Sequence, residues 1–270
     1  MTTSRKRVYI TGGSSGIGLG LAQFYVRAGS DVVLIARDEI KLDAAVSLCG
    51  NLRVDAGQLV AAESVDVTAY DLLADKVTGI VERNGPPDLL ILSAGVVCCR
   101  TFLDTSAREF NTLVESNFAG SREVARAILP GMLQRRSGQI AFVSSLSGLV
   151  GVYGYTAYSA SKFAVNGFVQ ALRQELSGSG VSVHLVCPAE VDTPMIRAEA
   201  GTVLPQPRFL KDLIGTLEPS QAAKKIAAGI EKGKAVIIPG FRAGIVACIA
   251  RLSPGLFAKG TEILLRYRFG

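Results

Sequence analysis

Short runs of β-branched and aliphatic residues, most of them apolar on both faces, recur along this chain with helical patterns between them. They are Val8-Tyr9-Ile10, Asp31 to Ala36, Leu59 to Val65, Leu89 to Leu92, Gln139 to Ser144, Val181 to Val186 and Ala235 to Ile238. A strand with two apolar faces must be covered on both sides, as in a parallel sheet sandwiched between helices. The helical patterns cover Ile17 to Ala28, Ile40 to Leu48, Tyr70 to Arg83, Ala107 to Arg135, Ala157 to Ser177 and Ser220 to Lys232. This alternation predicts an α/β fold, a doubly wound parallel sheet with helices on both faces. Of the 270 residues, 49% are hydrophobic and 19% charged, so a full core can be buried and disorder or a disulfide scaffold is excluded. No linker or repeat interrupts the pattern, and one domain is expected. The stretch from Ala189 to Gly215 has three prolines and no clean period, which reads as a functional loop or lid.

The net charge of +6 is scattered and too weak to argue for nucleic acid. Cys49, Cys98, Cys99, Cys187 and Cys248 form no C-x-x-C pair, and with one histidine no zinc-ligand spacing exists, so no metal is expected. Reduced thiols in a cytoplasmic protein are the expectation. The apolar stretch behind Arg5-Lys6-Arg7 stops at a glycine loop, too short for a signal segment. The uncharged run from Ser137 to Ser161 is rich in Ser, Gly and Tyr, and no transmembrane helix is expected.

Thr11-Gly12-Gly13-Ser14-Ser15-Gly16-Ile17-Gly18 follows the first strand and opens the first helix. Glycines there let a pyrophosphate approach the helix N-terminus, where free N–H groups and the helix dipole favour an anion. The second strand ends Ala36-Arg37-Asp38. An acidic residue at this strand end grips a ribose 2′-hydroxyl, whereas arginine accommodates a 2′-phosphate. With Ala36 at the acidic position and Arg37 next to it, the cofactor expected is NADPH, with Ser14 and Ser15 as further donors. Asp66 stands in Val65-Asp66-Val67, where bonding an adenine amine and capping the next helix are equally good readings.

Tyr158-Ser159-Ala160-Ser161-Lys162 places a phenol and an amine on one helix face. A free phenol has a pKa of about 10, and a nearby ammonium is expected to pull it down towards the working range of a proton shuttle. Ser145 ends the strand before, placed to donate to the same substrate oxygen.

With the glycine loop these residues make the chain resemble the short-chain dehydrogenase/reductase superfamily over nearly its whole length. Leu92-Ser93-Ala94-Gly95 is a variant of that family's N-N-A-G motif, Asn117 matches its helix asparagine, and Pro188-Ala189-Glu190-Val191-Asp192-Thr193 its segment after the sixth strand. The resemblance implies a Rossmann-type domain over 1–240, with a substrate loop at about 189–217, and an extension of the same domain over 241–270. It implies a tetrad of Asn117, Ser145, Tyr158 and Lys162. Ser145 and Tyr158 polarise a ketone, Tyr158 gives the proton, and Lys162 holds the nicotinamide ribose and lowers the Tyr158 pKa. Asn117 keeps a water that relays protons to Lys162. Gly12, Gly16, Ile17, Gly18, Ala94 and Gly95 join the serines, Arg37 and Asp66 around the cofactor, while Val191 (main chain) and Thr193 bind the carboxamide. Asparagines are missing before Ala94, and Pro188-Ala189 replaces Pro-Gly, so altered fit is expected rather than lost activity. The helices over Ala107–Arg135 and around Tyr158 are implied to make a homodimer or homotetramer.

Within the superfamily the chain resembles the 3-ketodihydrosphingosine reductases, on Gly12–Gly18, Leu34-Ile35-Ala36-Arg37, Asp192-Thr193-Pro194 and a basic, apolar C-terminal extension. Met195-Ile196 stands where that group has Gly-Phe. The function implied is NADPH-dependent reduction of a long-chain, lipid-like ketone. Alternatives are a steroid, a 3-ketoacyl thioester or a small ketone, and a non-enzymatic NADPH sensor, which would have no need of the tetrad. From Phe241 onward Arg242, Arg251, Lys259, Arg266 and Arg268 face Glu262 alone, with apolar blocks between them. Such a segment can lie peripherally in lipid headgroups or pack on the core or a partner subunit, and both readings stand. His184 is expected as a hydrogen-bonded strand histidine, and Tyr153 and Tyr155 as pocket lining or packing.

Overall fold

All seven expected strands form, as β1 (Arg7–Thr11), β2 (Asp31–Ala36), β3 (Val60–Ser64), β4 (Leu89–Leu92), β5 (Gly138–Val143), β6 (Val181–Val186) and β7 (Val236–Ile237). In the computed structural model, which describes residues 5–270, they make one parallel sheet in the order β3-β2-β1-β4-β5-β6-β7. Tyr9, Val33, Leu90 and Ile140 are fully buried because helices cover both faces, as uninterrupted apolar strands require. One face carries α1 (Gly16–Arg27), α2 (Glu39–Gly50) and α9 (Pro219–Glu231), packed through Leu21, Leu42 and Ile226. The other carries α3 (Tyr70–Asn84), α5 (Gly120–Arg135) and α6 (Thr156–Glu175), packed through Leu73, Ile128 and Val169.

Local chemistry sets several starts. Asp38 caps α2 by accepting from Lys41 N at 3.1 Å, so the helix cap is Asp38 and Arg37 is left free. A reciprocal Ser106–Glu109 capping box opens α4 (Ala107–Val114). The expected single helix from Ala107 to Arg135 is interrupted. A π turn at Glu115–Ala119 separates α4 from α5, and Asn117 sits in it. One extra residue per turn rotates Asn117 inward, where it is 1% exposed.

The stretch expected as a loop is largely helical. Thr193 and Pro194 open α7 (Pro194–Glu199), and Pro205 opens α8 (Pro205–Ile214). The prolines that break a periodic pattern stand at first-turn positions, where their missing N–H costs nothing. The C-terminal extension divides. Through Ala243, Ala247 and Ala250, α10 (Phe241–Leu252) packs against Leu146 and Val150, whereas α11 (Pro254–Phe269) has no buried residue. Packing therefore describes α10, and α11 is exposed. Among the described residues no single helix is long and apolar enough to cross a membrane; α10 and α11 meet that measure only as a pair bent by 119°.

Candidate active site

Strand order reverses between β1 and β4, so the loops leaving these strands diverge and open a crevice at their carboxyl ends. Gly12 (φ +67°) and Gly16 (φ +55°) hold backbone conformations that disfavour side chains. A Cβ on Gly12 would stand 2.8 Å from Ala94 N and from Ser93 O, and one on Gly18 would stand 2.2 Å from Gly12 O. The Thr11 hydroxyl accepts from Ser93 N at 3.1 Å and Ala94 N at 3.3 Å, tying the β1 and β4 loops together. Backbone thus does the work here, which is why Leu92 and Ser93 stand in for asparagines without disturbing the turn.

A cavity of about 230 Å³ runs from this loop along the ends of β5 and β6. Gly12, Ser15, Gly16 and Ile17 line one end, and Ser145, Tyr158 and Lys162 the middle. Its far wall comes from Pro188–Val191, Thr193 and the inner faces of α7 and α8. Gly95 lines it too, beneath Lys162: a Cβ there would be 2.7 Å from Asn117 Oδ1 and 3.5 Å from Lys162 Nζ. Gly18 and Ala94 brace this end without lining it.

Ser145 closes β5 and accepts from Ser147 N at 3.1 Å, which fixes the start of a short 3₁₀ turn. One helical turn past Tyr158, Lys162 is 5% exposed, donates to Val143 O at 3.2 Å and stands 5.7 Å from the Tyr158 ring centre. Burial lowers the Lys162 pKa to about 8. The expected fall in the Tyr158 pKa does not occur in the free protein. Burial pushes it up to about 12, the Ser145 hydrogen bond works in the opposite direction, and the Glu199 carboxylate adds to the rise. Lys162 lies beside the ring and directs a proton to Val143 O, and desolvation is the largest influence on the phenol.

Asn117 spends its side chain on the fold. Its Oδ1 accepts from Val96 N at 2.7 Å, and its Nδ2 donates to Val96 O at 3.0 Å and Ser161 Oγ at 2.9 Å. Both amide protons are committed within the chain. The asparagine clamps the β4 loop to α6, the helix that carries Tyr158.

The residues assigned to a nucleotide separate into two groups. Val191 bridges Leu217, where Leu217 N donates to Glu190 O at 3.0 Å and Asp192 N to Leu217 O at 2.9 Å. Strand alternation then turns the N–H and C=O of Val191 to the opposite edge, and Val191 lines the cavity. Thr193 accepts from Ile196 N at 3.4 Å, and its methyl group stands against Gly16. Farther out, Ser14, Arg37 and Asp66 lie beyond the cavity. Arg37 is exposed at the end of β2, with no ion pair among the described residues. Asp66 accepts from Thr68 N at 2.9 Å and Thr68 Oγ1 at 2.7 Å, which lowers its pKa. It closes the turn before α3, whose N-cap is Ala69, so it is not the helix cap. This cradle fits a dinucleotide: glycines where backbone must approach, a free guanidinium for a phosphate at one end, and free main-chain groups at the other.

Tyr155, left open between lining and packing, does both at 3% exposure, whereas Tyr153 is 45% exposed. Around Tyr155 the structure gathers Glu190, Glu199 and Lys211, a group with no signal in the sequence. As expected, His184 is a buried strand histidine, its Nδ1 2.7 Å from Lys234 O.

The profile of the family described as short chain dehydrogenase matches residues 6–202. A 3-dehydrosphinganine reductase of Danio rerio is 35% identical over 227 residues, 84% of this chain and 68% of the relative. Another from Arabidopsis thaliana is 36% identical over 259 residues, 95% of this chain and 75% of the relative. Two solved structures share the fold and more than a quarter of the sequence. An actinorhodin polyketide ketoreductase with NADPH gives a TM-score of 0.77 at 28% identity, covering 88% of this chain and 97% of its own. A short-chain dehydrogenase from Sphingobium yanoikuyae in complex with NADPH gives 0.78 at 29%, covering 94% and 95%.

Asn117→Ala leaves Val96 N–H and C=O and Ser161 Oγ without their partner inside the protein. Urea unfolding is expected to show a loss of about 1–3 kcal/mol, and a loss below about 0.5 kcal/mol would remove the clamp role.

Proposed function

The chain belongs to the short-chain dehydrogenase family, and from that premise we propose that it reduces a long-chain, lipid-like ketone to a secondary alcohol with NADPH, 3-ketodihydrosphingosine to dihydrosphingosine being the leading reaction. The observation that carries this reading is the convergence of Ser145, Tyr158 and Lys162 on one wall of a mainly apolar cavity beside the glycine cradle. The relatives named 3-dehydrosphinganine reductase and the ketoreductase solved with NADPH support it.

Bound NADPH supplies the hydride. The Ser145 hydroxyl and Tyr158 phenol donate hydrogen bonds to the ketone oxygen and draw charge onto it. With a pKa of about 12 in the free protein, Tyr158 is protonated at neutral pH, the state a proton donor in the reductive direction needs. Lys162, at about 8, is largely an ammonium at pH 7 and stabilises the phenolate left after transfer. Asn117 holds α6 in register with the β4 loop, so that the Tyr158 hydroxyl meets the carbonyl. The apolar inner faces of α7 and α8 exclude water and receive the chain of the substrate.

The exposed α11 and the outer face of α10 suit an anionic lipid surface. Leu256, Ile263 and Tyr267 are exposed, interspersed with Lys259, Arg266 and Arg268. A cytoplasmic enzyme resting on a membrane through this face would draw its substrate from the bilayer. The α4–α5 and α6 surface, where Phe163 is exposed, is where a homodimer or homotetramer would form.

NADPH oxidation with 3-ketodihydrosphingosine in detergent tests the reaction beside steroid, 3-ketoacyl and small-ketone substrates. Tyr158→Phe is expected to lower kcat by about 100-fold or more with NADPH affinity retained. Turnover of another ketone alone would discard the sphingoid assignment, and NADPH binding without turnover of any ketone would favour the sensor. Arg37→Ala is expected to weaken NADPH at least about tenfold and to leave NADH unchanged; equal losses would refute the 2′-phosphate role. Replacing Leu256, Ile263 and Tyr267 together by Ser is expected to abolish flotation with anionic liposomes while turnover in detergent persists. Unchanged flotation would count against membrane docking.

A further inference from the structure

Beside the Ser145–Tyr158–Lys162 wall lies a group of charges that neither proton transfer nor nucleotide binding uses. Glu190, Tyr155 and Lys211 line the cavity, and Glu199 stands behind the Tyr155 hydroxyl, which donates to Glu199 Oε2 at 2.9 Å. The Glu190 and Glu199 side chains are each 5% exposed. Lys211 Nζ donates to the Tyr155 hydroxyl at 2.7 Å and lies 3.0 Å from Glu190 Oε2 and 3.5 Å from Glu199 Oε2. Thr216 Oγ1 donates to Glu190 Oε1 at 2.8 Å. Arg208 comes within 3.9 Å of Glu190 Oε1, but its close partner is Asp212, at 2.9 Å on the same helix.

Two independent features of this group point to a ligand. Its charge does not balance, because among the described residues Glu190, Glu199 and Asp212 face only Lys211 and Arg208. Buried acceptors are also left over. Among the described residues Glu199 Oε1 has no donor, and Glu190 Oε2 holds Lys211 as an ion contact without hydrogen-bond alignment. A desolvated carboxylate short of donors is costly to keep, and a cationic donor arriving from the cavity removes that cost. The group also stands at the reacting centre. The Tyr155 and Tyr158 rings pack edge to face with centres 5.9 Å apart, and the Glu199 charge is close enough to raise the Tyr158 pKa.

We propose that Glu190, backed by the Glu199 charge behind Tyr155, forms an ammonium subsite that selects ketones carrying a protonated amine on the carbon next to the carbonyl. The proposal rests on the reductase reading and narrows its substrate class. A long-chain 2-amino-3-ketone offers the missing cation on the carbon next to the reacting carbonyl. A steroid, a ketoacyl thioester or a plain ketone has none to offer there. Lys211 stays between the two carboxylates as their spacer, and the ligand ammonium meets the surplus charge.

The test compares kcat and KM for 3-ketodihydrosphingosine and for the same chain with hydrogen in place of the amine, in wild type, Glu190→Gln and Glu199→Gln. Wild type is expected to show a KM about tenfold or more lower for the amino ketone. Glu190→Gln should raise that KM about tenfold, leave the amine-free ketone within about twofold, and change neither kcat much, while Glu199→Gln should raise the KM of the amino ketone selectively. A wild type indifferent to the amine, or equal losses on both ketones, overturns the subsite. A purely structural role for the group would move both ketones together. Binding of dihydrosphingosine and of its N-acetyl derivative, followed by calorimetry, keeps the two readings apart. If neither ketone is turned over, the reductase reading fails on its own. The subsite then still requires the free amine to bind wild type about tenfold tighter than the acetylated one. Equal affinities overturn it, whether or not the Gln variants fold.

Discussion

Everything at this site depends on how closely two loops approach at the split between β1 and β4. Gly12 comes so near the Ser93–Ala94 backbone that no side chain fits between them, and Thr11 fastens the contact with two hydrogen bonds. That approach leaves the α1 N-terminus facing open space instead of a packed loop, so an anion can reach its free N–H groups. Asn117 extends the same construction by joining the loop after β4 to α6. The glycine cradle and the helix face that carries Tyr158 and Lys162 are thereby parts of one frame.

On that frame, burial sets the protonation states. Lys162 and Tyr158 are withdrawn from water side by side, and desolvation moves each towards its neutral form, to about 8 and about 12. The pair is thus poised with a protonated phenol beside an amine that titrates close to neutrality. Such an arrangement favours giving a proton over taking one, in keeping with a reductase.

The segment between β6 and α9 supplies the far wall of the cavity. Its two helices, both opened by prolines, turn an apolar face inward and bring Glu199 and Lys211 into one buried cluster with Glu190 and Tyr155. The helix that follows β7 packs behind two residues of the cavity lining, where Ala243, Ala247 and Ala250 meet Leu146 and Val150. The C-terminal extension is therefore two things at once: a packed helix in α10 that backs the cavity-lining Leu146 and Val150, and an exposed basic, apolar helix in α11.

The strands and covering helices were legible in the sequence because their apolar periods are local. So were Gly12–Gly18 and Tyr158–Lys162, whose spacing alone places backbone or side chains on one turn. The helices α7 and α8 were not, because their prolines erase the period that an amphipathic helix normally shows. Nor was the π turn at Asn117, which exists only because the Val96 main chain and Ser161 are there to bind the rotated amide. Asp66 reads in the sequence as a ligand contact or a helix cap, and only the cap reading falls, because Ala69 stands at the N-cap and Thr68 binds Asp66 through Oδ1 alone. The sequence by itself determined the sheet, the glycine cradle and the placing of Tyr158 and Lys162 on one helix face. Only the tertiary structure decided the pKa of Tyr158 and the burial of Glu190 and Glu199. Both depend on desolvation by residues far apart in the chain, which spacing along it does not encode.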